Sequence, residues 1–307
     1  MPSESEFIAA FLAPFGGGEG VGSDCASVRV GRGLKLVATT DAVVQDVHFT
    51  LPGFSPEEVG WKALAVNLSD LAAAGARPRW FLCALGVPES PRALQRAVRM
   101  AKGMAVLARR FGCALVGGNV SRAAQWSLTL TALGEARRPL TRTGARPGDA
   151  LVVVGTLGDA AAGLRGSRRG LSAQRRPLPL VNQGMAAARF ASASIDVSDG
   201  FLRDLGHLCE QSGCGATVEV THLPLGPAAR SRADGLELAL TGGEDYALLY
   251  AVPQGKLAAL RRAVRCEVVG EVVRGRRIAL LQDGVRRRTP SATGYDHLQA
   301  RGPKPGA

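Results

Sequence analysis

Acidic side chains set among small or apolar neighbours recur along this chain. They are Asp24 in VGSDCA, Asp41 and Asp46 in TTDAVVQDVHF, Asp70 in NLSDLAAAGA, Asp196 and Asp199 in IDVSDG, and Glu244 and Asp245 in GGEDY. An ionised carboxylate in such a setting is costly unless a cation or a donor compensates it. Several gathered in one place would hold hard divalent cations, which take oxygen ligands and commonly bridge to phosphates. The pattern points to metal-assisted chemistry on a phosphate-bearing substrate.

Asp70 is the only charged side chain between Lys62 and Arg77, and it shares a helix face with Asn67 at i, i+3. It reads either as a rigidly held metal ligand or as a carboxylate satisfied by a neighbouring helix cap. Asp41 follows Thr40 at the end of an apolar stretch, the position from which strands of α/β sheets reach ligands. Asp46 and His48 alternate, and in an extended segment they would share a face. His48 is then a substrate contact, or else an ordinary surface or core histidine. Asp196, Ser198 and Asp199 fall at an expected strand-to-helix turn. Asp199 either caps that helix, worth about 1 kcal/mol, or joins its neighbours in binding metal and phosphate. Gly117-Gly118-Asn119 is expected to follow a strand and to turn backbone N–H groups toward phosphate. In GTLGD, Asp159 reads as a plain N-cap.

Two common nucleotide motifs are missing. No GxxxxGK[ST] occurs, since the sole Gly-Lys pair, Gly255-Lys256, is followed by Leu257. The glycine run from Gly16 to Gly22 does not form GxGxxG after a strand. No serine, histidine and acid set suggests a hydrolase. Nucleotide use would have to rest on metals and scattered backbone groups.

The elements that must carry these residues can be traced. Ser3 with Glu6 forms a capping box ahead of a first helix. Leu34–Thr40 reads as a strand. Ser55-Pro56-Glu57-Glu58 starts a helix that stops near Gly75, and Ser90-Pro91 starts another that stops at Gly112. Strands are expected at Trp80–Val87, Cys113–Val116 and Trp126–Leu133. The basic, turn-rich stretch Arg137–Asp149 marks a domain join, placing domains at 1–137 and 138–307. The second begins with the strand Ala150–Val154 and a helix opened by GTLGDAAAGL. A helix from Asp199 to about Ser212, strands at Ala216–Val220 and Tyr246–Val252, and a β-rich end from Cys266 to Leu281 follow. Interspersed strands and helices predict two α/β or α+β domains.

A formal net charge of +12 raises a nucleic-acid reading. The excess arginine gathers at 165–176, 274–277 and 286–288, in glycine-rich and polar segments without interleaved aromatics. A solvated basic surface is the simpler reading, and no nucleic-acid partner is expected. No apolar run reaches the roughly 18 residues that span a bilayer. Six cysteines without CxxC pairs argue against structural zinc and a disulfide framework. Cys209 and Cys214 read as helix-end residues. A cytoplasmic protein with reduced thiols is expected.

In order and spacing, WKALAVNLSDLAAAGARP, TTDAVVQDVHF, GGNVSRA, RTGARPGD, GTLGDAAAGL, IDVSDGFLRDLGHL, GGEDYALL and the closing GYDHL resemble thiamine-monophosphate kinase, from about Glu6 to Leu298. That family belongs to the aminoimidazole-ribotide-synthetase superfamily. The resemblance implies a two-domain α/β fold, with an N-terminal half that dimerises through its sheet and a C-terminal α/β half. It implies transfer of the γ-phosphate of ATP to thiamine monophosphate, with several magnesium ions. It places magnesium on Asp24, Thr39, Thr40, Asp41, Asp70, Asn119, Asp196 and Asp199, and ATP on Gly118, Asn119, Arg142 and Ser198. For thiamine monophosphate it points to His48, Glu244 and Tyr295. Asp41, Asp70, Arg142 and Asp199 are the residues it ties most closely to catalysis. Ser23 and Asn119 stand where the family carries carboxylates, Ala292 where it often has an aromatic, and 165–182 is short and arginine-rich. A non-catalytic paralogue that binds nucleotide or thiamine phosphates is the alternative.

Overall fold

The computed structural model describes residues 3–16, 25–51, 53–290 and 294–295. Asp24, Ser23 and Ala292 lie outside the described residues. The chain forms two compact units, the first holding Arg77–Arg137 and the described residues up to Leu71, the second Ala72–Ala76 and the described residues from Arg138 on.

The first unit runs α1 (Glu4–Leu12), β1 (Lys35–Val44), α2 (Pro56–Ala73), β2 (Arg77–Val87), α3 (Ala93–Phe111), β3 (Ala114–Arg122) and β4 (Ser127–Ala136). Its sheet has the order β1-β4-β2-β3. β4 pairs antiparallel with both β1 and β2, while β2 and β3 are parallel. α1 starts as expected, with the Ser3–Glu6 box closed in both directions. α2 is buried nearly all round, and Val59, Leu64, Leu68 and Leu71 are fully so. It meets α3 backbone to backbone. A Cβ on Gly60 would collide with the Met100 carbonyl, and one on Gly103 with that of Glu57. Leu128, Leu130, Phe81 and Met104 complete this core.

β3 corrects one expectation. Gly117-Gly118-Asn119 lies inside the strand, opposite Leu82, Cys83 and Ala84 of β2, and is not a turn after it. Glycine at 118 is a packing requirement, because any side chain would strike the Cys83 carbonyl.

The second unit contains β5 (Ala150–Val154), α4 (Asp159–Leu164), α5 (Leu171–Arg175), α6 (Val181–Ala187), β6 (Ala193–Val197), α7 (Phe201–Ser212), β7 (Gly215–Glu219), α8 (Pro227–Arg230), α9 (Gly235–Thr241), β8 (Ala247–Val252), α10 (Gln254–Ala263), β9 (Glu267–Val273), β10 (Ile278–Gln282) and β11 (Val285–Arg287). The seven strands order as β11-β10-β7-β9-β5-β8-β6. β5, β6 and β8 are buried at every position, as the uniformly apolar runs of central strands should be. Leu205, Leu208, Val218, Leu249 and Val269 belong to one continuous core on this sheet. The fold is mixed α/β in both units.

The arginines at 274–277 sit exposed in the turn between β9 and β10, Arg286 is exposed on β11, and Arg288 is exposed just after it. The six cysteines are free. Cys209 lies in the last turn of α7 and Cys214 follows its glycine cap, both buried. Among the described residues, no helix is long and apolar enough to cross a membrane.

Candidate active site

In the first unit, Thr39 and Asp41 lie two apart on β1 and so share a face. Thr39 Oγ1 donates to Asp70 Oδ2 of α2 at 2.5 Å, which ties the helix carboxylate to the strand. One turn before Asp70, the fully buried Asn67 spends its Nδ2 on the Ala63 carbonyl, and its Oδ1 is buried without a partner. An unsatisfied buried acceptor costs about 1–3 kcal/mol. Hydroxyl, carboxylate and carbonyl oxygens are the donor set that hard divalent cations prefer, so these residues fit magnesium. Thr40 points differently, donating its hydroxyl to the Leu130 carbonyl at 3.0 Å.

Beyond Val44 the chain does not stay extended. His48 N–H donates to Val44 O at 2.9 Å and Asp46 N–H to Phe49 O at 2.7 Å, with Asp46 left-handed at φ 61°. The face shared by Asp46 and His48 is therefore absent: a tight turn replaces it. Val44 N–H donates to His48 Nδ1 at 3.1 Å, so in the neutral ring the proton sits on Nε2. Lys62, the sole basic residue of α2, is buried and donates from Nζ to the His48 carbonyl at 3.3 Å. Its ammonium also lies 5.3 Å from the centre of the Phe54 ring. A lysine is almost never fully buried without such partners. Lys62 is absent from the residues expected at the site, although a single cation in an otherwise apolar helix stretch was the available signal.

Gly118 and Asn119 are not brought to this group. β3 and β1 are opposite edges of the sheet, with β4 and β2 between them, a separation of roughly 14 Å at the usual strand spacing.

In the second unit, Asp196, Ser198, Asp199, Glu244 and Tyr295 do come together. β6 delivers Asp196, buried, to the turn 198–200. Glu244 N–H donates to Ser198 O at 2.7 Å, Tyr246 N–H to Val197 O at 2.8 Å, and Tyr295 N–H to Asp199 O at 2.9 Å. Arg142 is held at the backbone beside β6: its carbonyl accepts from Ser212 at the end of α7, and the carbonyl of its neighbour Thr141 accepts from Ser194 N–H on β6 at 2.9 Å.

Asp199 does not cap α7: that N-cap position is Gly200, without a side-chain bond. Asp204 does the work instead. Its Oδ2 accepts the N–H groups of Ser198, Asp199 and Gly200 at 3.0, 3.0 and 3.2 Å. Burial pushes this carboxyl up to about 7, against the pull of those donors. His207 follows one turn later, and one ligand atom from each of Asp199, Asp204 and His207 lie within 4.8 Å of one another. Arg203 Nε, 3.6 Å from Asp199 Oδ2, shares that space.

Asp159 is likewise not the cap of its own helix. Its Oδ1 accepts from Ala228 and Ala229 at the start of α8. Asp245 caps α4 from outside, accepting from Gly158 at 2.6 Å and Ala160 at 3.2 Å. It is flanked by left-handed Glu244 and Tyr246, at φ 70° and 51°, a conformation costing roughly 1 kcal/mol or more per residue. The anchored Asp245 holds that turn in place.

Burial pushes the Asp245 carboxyl up to about 7, above its unfolded value near 4. Between those values the folded state binds more protons than the unfolded state. The stability contribution is therefore full below about pH 4 and is lost as pH rises through about 7. Denaturant melts should show wild type weakening relative to Asp245→Asn over that window. A constant difference between the two from pH 5 to 8 would refute the assignment.

Two family models match the chain: AIR synthase related protein, N-terminal domain, over residues 22–136, and AIR synthase related protein, C-terminal domain, over residues 146–282. Fold and matches together define a two-domain protein of the AIR-synthase-related class. The thiamine-monophosphate kinase of Salmonella typhimurium is 40% identical over 262 residues, 80% of this chain and 79% of its own length. The crystal structure of thiamine-monophosphate kinase from Stenotrophomonas maltophilia K279a superposes with TM-score 0.78 at 34% identity, covering 88% of this chain and 92% of its own. A structure of AaThiL complexed with AMPPCP and TMP gives TM-score 0.78 at 30% identity over 96% of both chains. The chain belongs to the thiamine-monophosphate kinase family, and it is a kinase.

Proposed function

We propose that this kinase transfers the γ-phosphate of ATP to thiamine monophosphate by a single in-line displacement, giving thiamine diphosphate and ADP. The observation that carries this is the oxygen-donor group of Thr39, Asp41 and Asp70, built on a strand and a rigid helix. The relative complexed with AMPPCP and TMP supports the choice of donor and acceptor.

Several magnesium ions would be held by Thr39, Thr40, Asp41 and Asp70 of the first unit, by Asp196 and Asp199 of the second, and by Asp24 and Asn119. When bound, magnesium supplies charge neutralisation and alignment of the phosphates. The attacking phosphate oxygen is already anionic near neutral pH, so no general base is needed. What remains is positioning two anions against their repulsion. Ser198, Gly118, Asn119 and Arg142 are assigned to ATP. Arg142 joins magnesium in neutralising the two anions as they meet. His48, Glu244 and Tyr295 are assigned to thiamine monophosphate, with the Nε2–H of His48 as a donor. Residues 1–137 then form the ATP- and magnesium-binding half, which dimerises through its sheet, and 138–307 complete the acceptor site. A cytoplasmic homodimer follows from this reading.

Lys62 is a positioning residue in this scheme, because it holds the carbonyl of His48. Losing a charge-assisted bond costs about 1.5–3 kcal/mol. Lys62→Met should therefore raise KM for thiamine monophosphate at least about tenfold with KM for ATP unchanged, and Lys62→Arg should recover part of it. Equal changes in both KM values would mean a general loss of structure.

Chromatography of thiamine phosphates after incubation with ATP and magnesium tests the reading. No thiamine diphosphate above a no-enzyme control would sink it. Calorimetric binding of both ligands without turnover would favour the non-catalytic alternative raised by Ser23 and Asn119, and Asn119→Asp would then be the variant to assay.

A further inference from the structure

A groove of about 410 Å³ opens in the first unit where the start of α2 faces the first turns of α3. Leu51, Phe54 and Pro56 line one wall, and Arg92, Arg96 and Arg99 line the other. None of them belongs to the carboxylate groups described above. The close approach of α2 and α3 at Gly60 and Gly103 sets the two walls against each other.

The arginines fall at i, i+4 and i+7, so one helix face carries three guanidinium groups that repel one another. Only Arg99 is neutralised, its Nε 2.7 Å from Glu57 Oε1. Arg92 and Arg96 have no ion-pair partner among the described residues. The N-terminus of α2 contributes nothing to anion binding here. Ser55 and Glu58 satisfy each other's N–H groups in a closed capping box. The positive charge thus belongs to the α3 guanidiniums, and it faces a buried aromatic and a buried proline. A concave site with a low-dielectric wall focuses such a field, and the planar guanidinium fork matches phosphate oxygens in pairs.

We propose that this groove is a second anion site, separate from the transfer chemistry, that binds a small phosphate-bearing molecule. The phosphate sits on Arg92 and Arg96, and an apolar or aromatic portion lies against Leu51, Phe54 and Pro56. This does not rest on the kinase reading.

Calorimetry in metal-free buffer with a chelator present tests it, with inorganic pyrophosphate as the probe. Wild type and Asp41→Asn should each show one saturable site. The double variant Arg92→Gln/Arg96→Gln should bind at least about tenfold more weakly while its turnover stays at the wild-type level. Phenyl phosphate should bind more tightly than inorganic phosphate. Absence of saturable binding, or undiminished affinity in the double variant, overturns the site. Loss of binding in Asp41→Asn would place the anion among the carboxylates and overturn it as well. Equal affinity for phenyl phosphate and phosphate removes the apolar wall from the assignment.

Discussion

Asp41→Asn and Asp70→Asn each lower turnover by about a hundredfold to a thousandfold, the usual loss when one element of a preorganised charge-stabilising site is removed. The two substitutions keep size and shape, so the fold should survive. Asp41 lies on the exposed part of an edge strand. An amide at 70 can still accept the Thr39 hydroxyl that now binds Asp70 Oδ2. What disappears is negative charge at an oxygen group assigned to magnesium. The loss should therefore appear as a lower kcat and a higher magnesium requirement, with unchanged circular dichroism and melting temperature. Near-wild-type kcat in either variant at limiting magnesium would remove these residues from the metal site.

Asp204→Ala destabilises the protein by about 3 kcal/mol and removes most activity with it. The side chain is 2% exposed, and one oxygen gathers three backbone N–H groups. Its deletion leaves those donors unmatched at the start of α7, each costing about 1–3 kcal/mol when water cannot reach it. The turn they shape carries Ser198 and Asp199. Asp204→Asn keeps one acceptor and should lose less than half as much. Urea unfolding of the two variants measures this. A loss under about 0.5 kcal/mol in Asp204→Ala would show that the turn is held by its other bonds, from Glu244 and Tyr295.

Much of the architecture was legible because its signals are local. The Ser3–Glu6 and Ser55–Glu58 boxes and the glycine at 112 set helix ends where periodicity placed them. β5 and β8 were recognisable as uninterrupted apolar runs. The failures have one cause. Gly117-Gly118 reads as a loop from composition, yet it is strand, because the neighbouring Cys83 carbonyl leaves room for nothing larger. Asp159 reads as a cap of the helix it opens, and a cap is one of the two readings of Asp199, but in the fold capping is exchanged across the chain. Asp159 serves α8, Asp245 serves α4, and Asp204 reaches back to the turn before its own helix. The first two of these exchanges depend on contacts between residues distant in sequence, which no local pattern records. Asp204 did leave a trace, since it interrupts the apolar stripe of Phe201, Leu205 and Leu208 on α7. The separation of Asn119 from Asp41 follows from strand order alone, and strand order cannot be read from spacing.

The stereochemical course of transfer from ATP chirally labelled at its γ-phosphorus tests the central claim most directly. One in-line displacement onto thiamine monophosphate, with no phosphorylated side chain on the way, inverts configuration at the transferred phosphorus of thiamine diphosphate. Retention would mean two successive displacements through a phosphorylated enzyme, and would contradict the account.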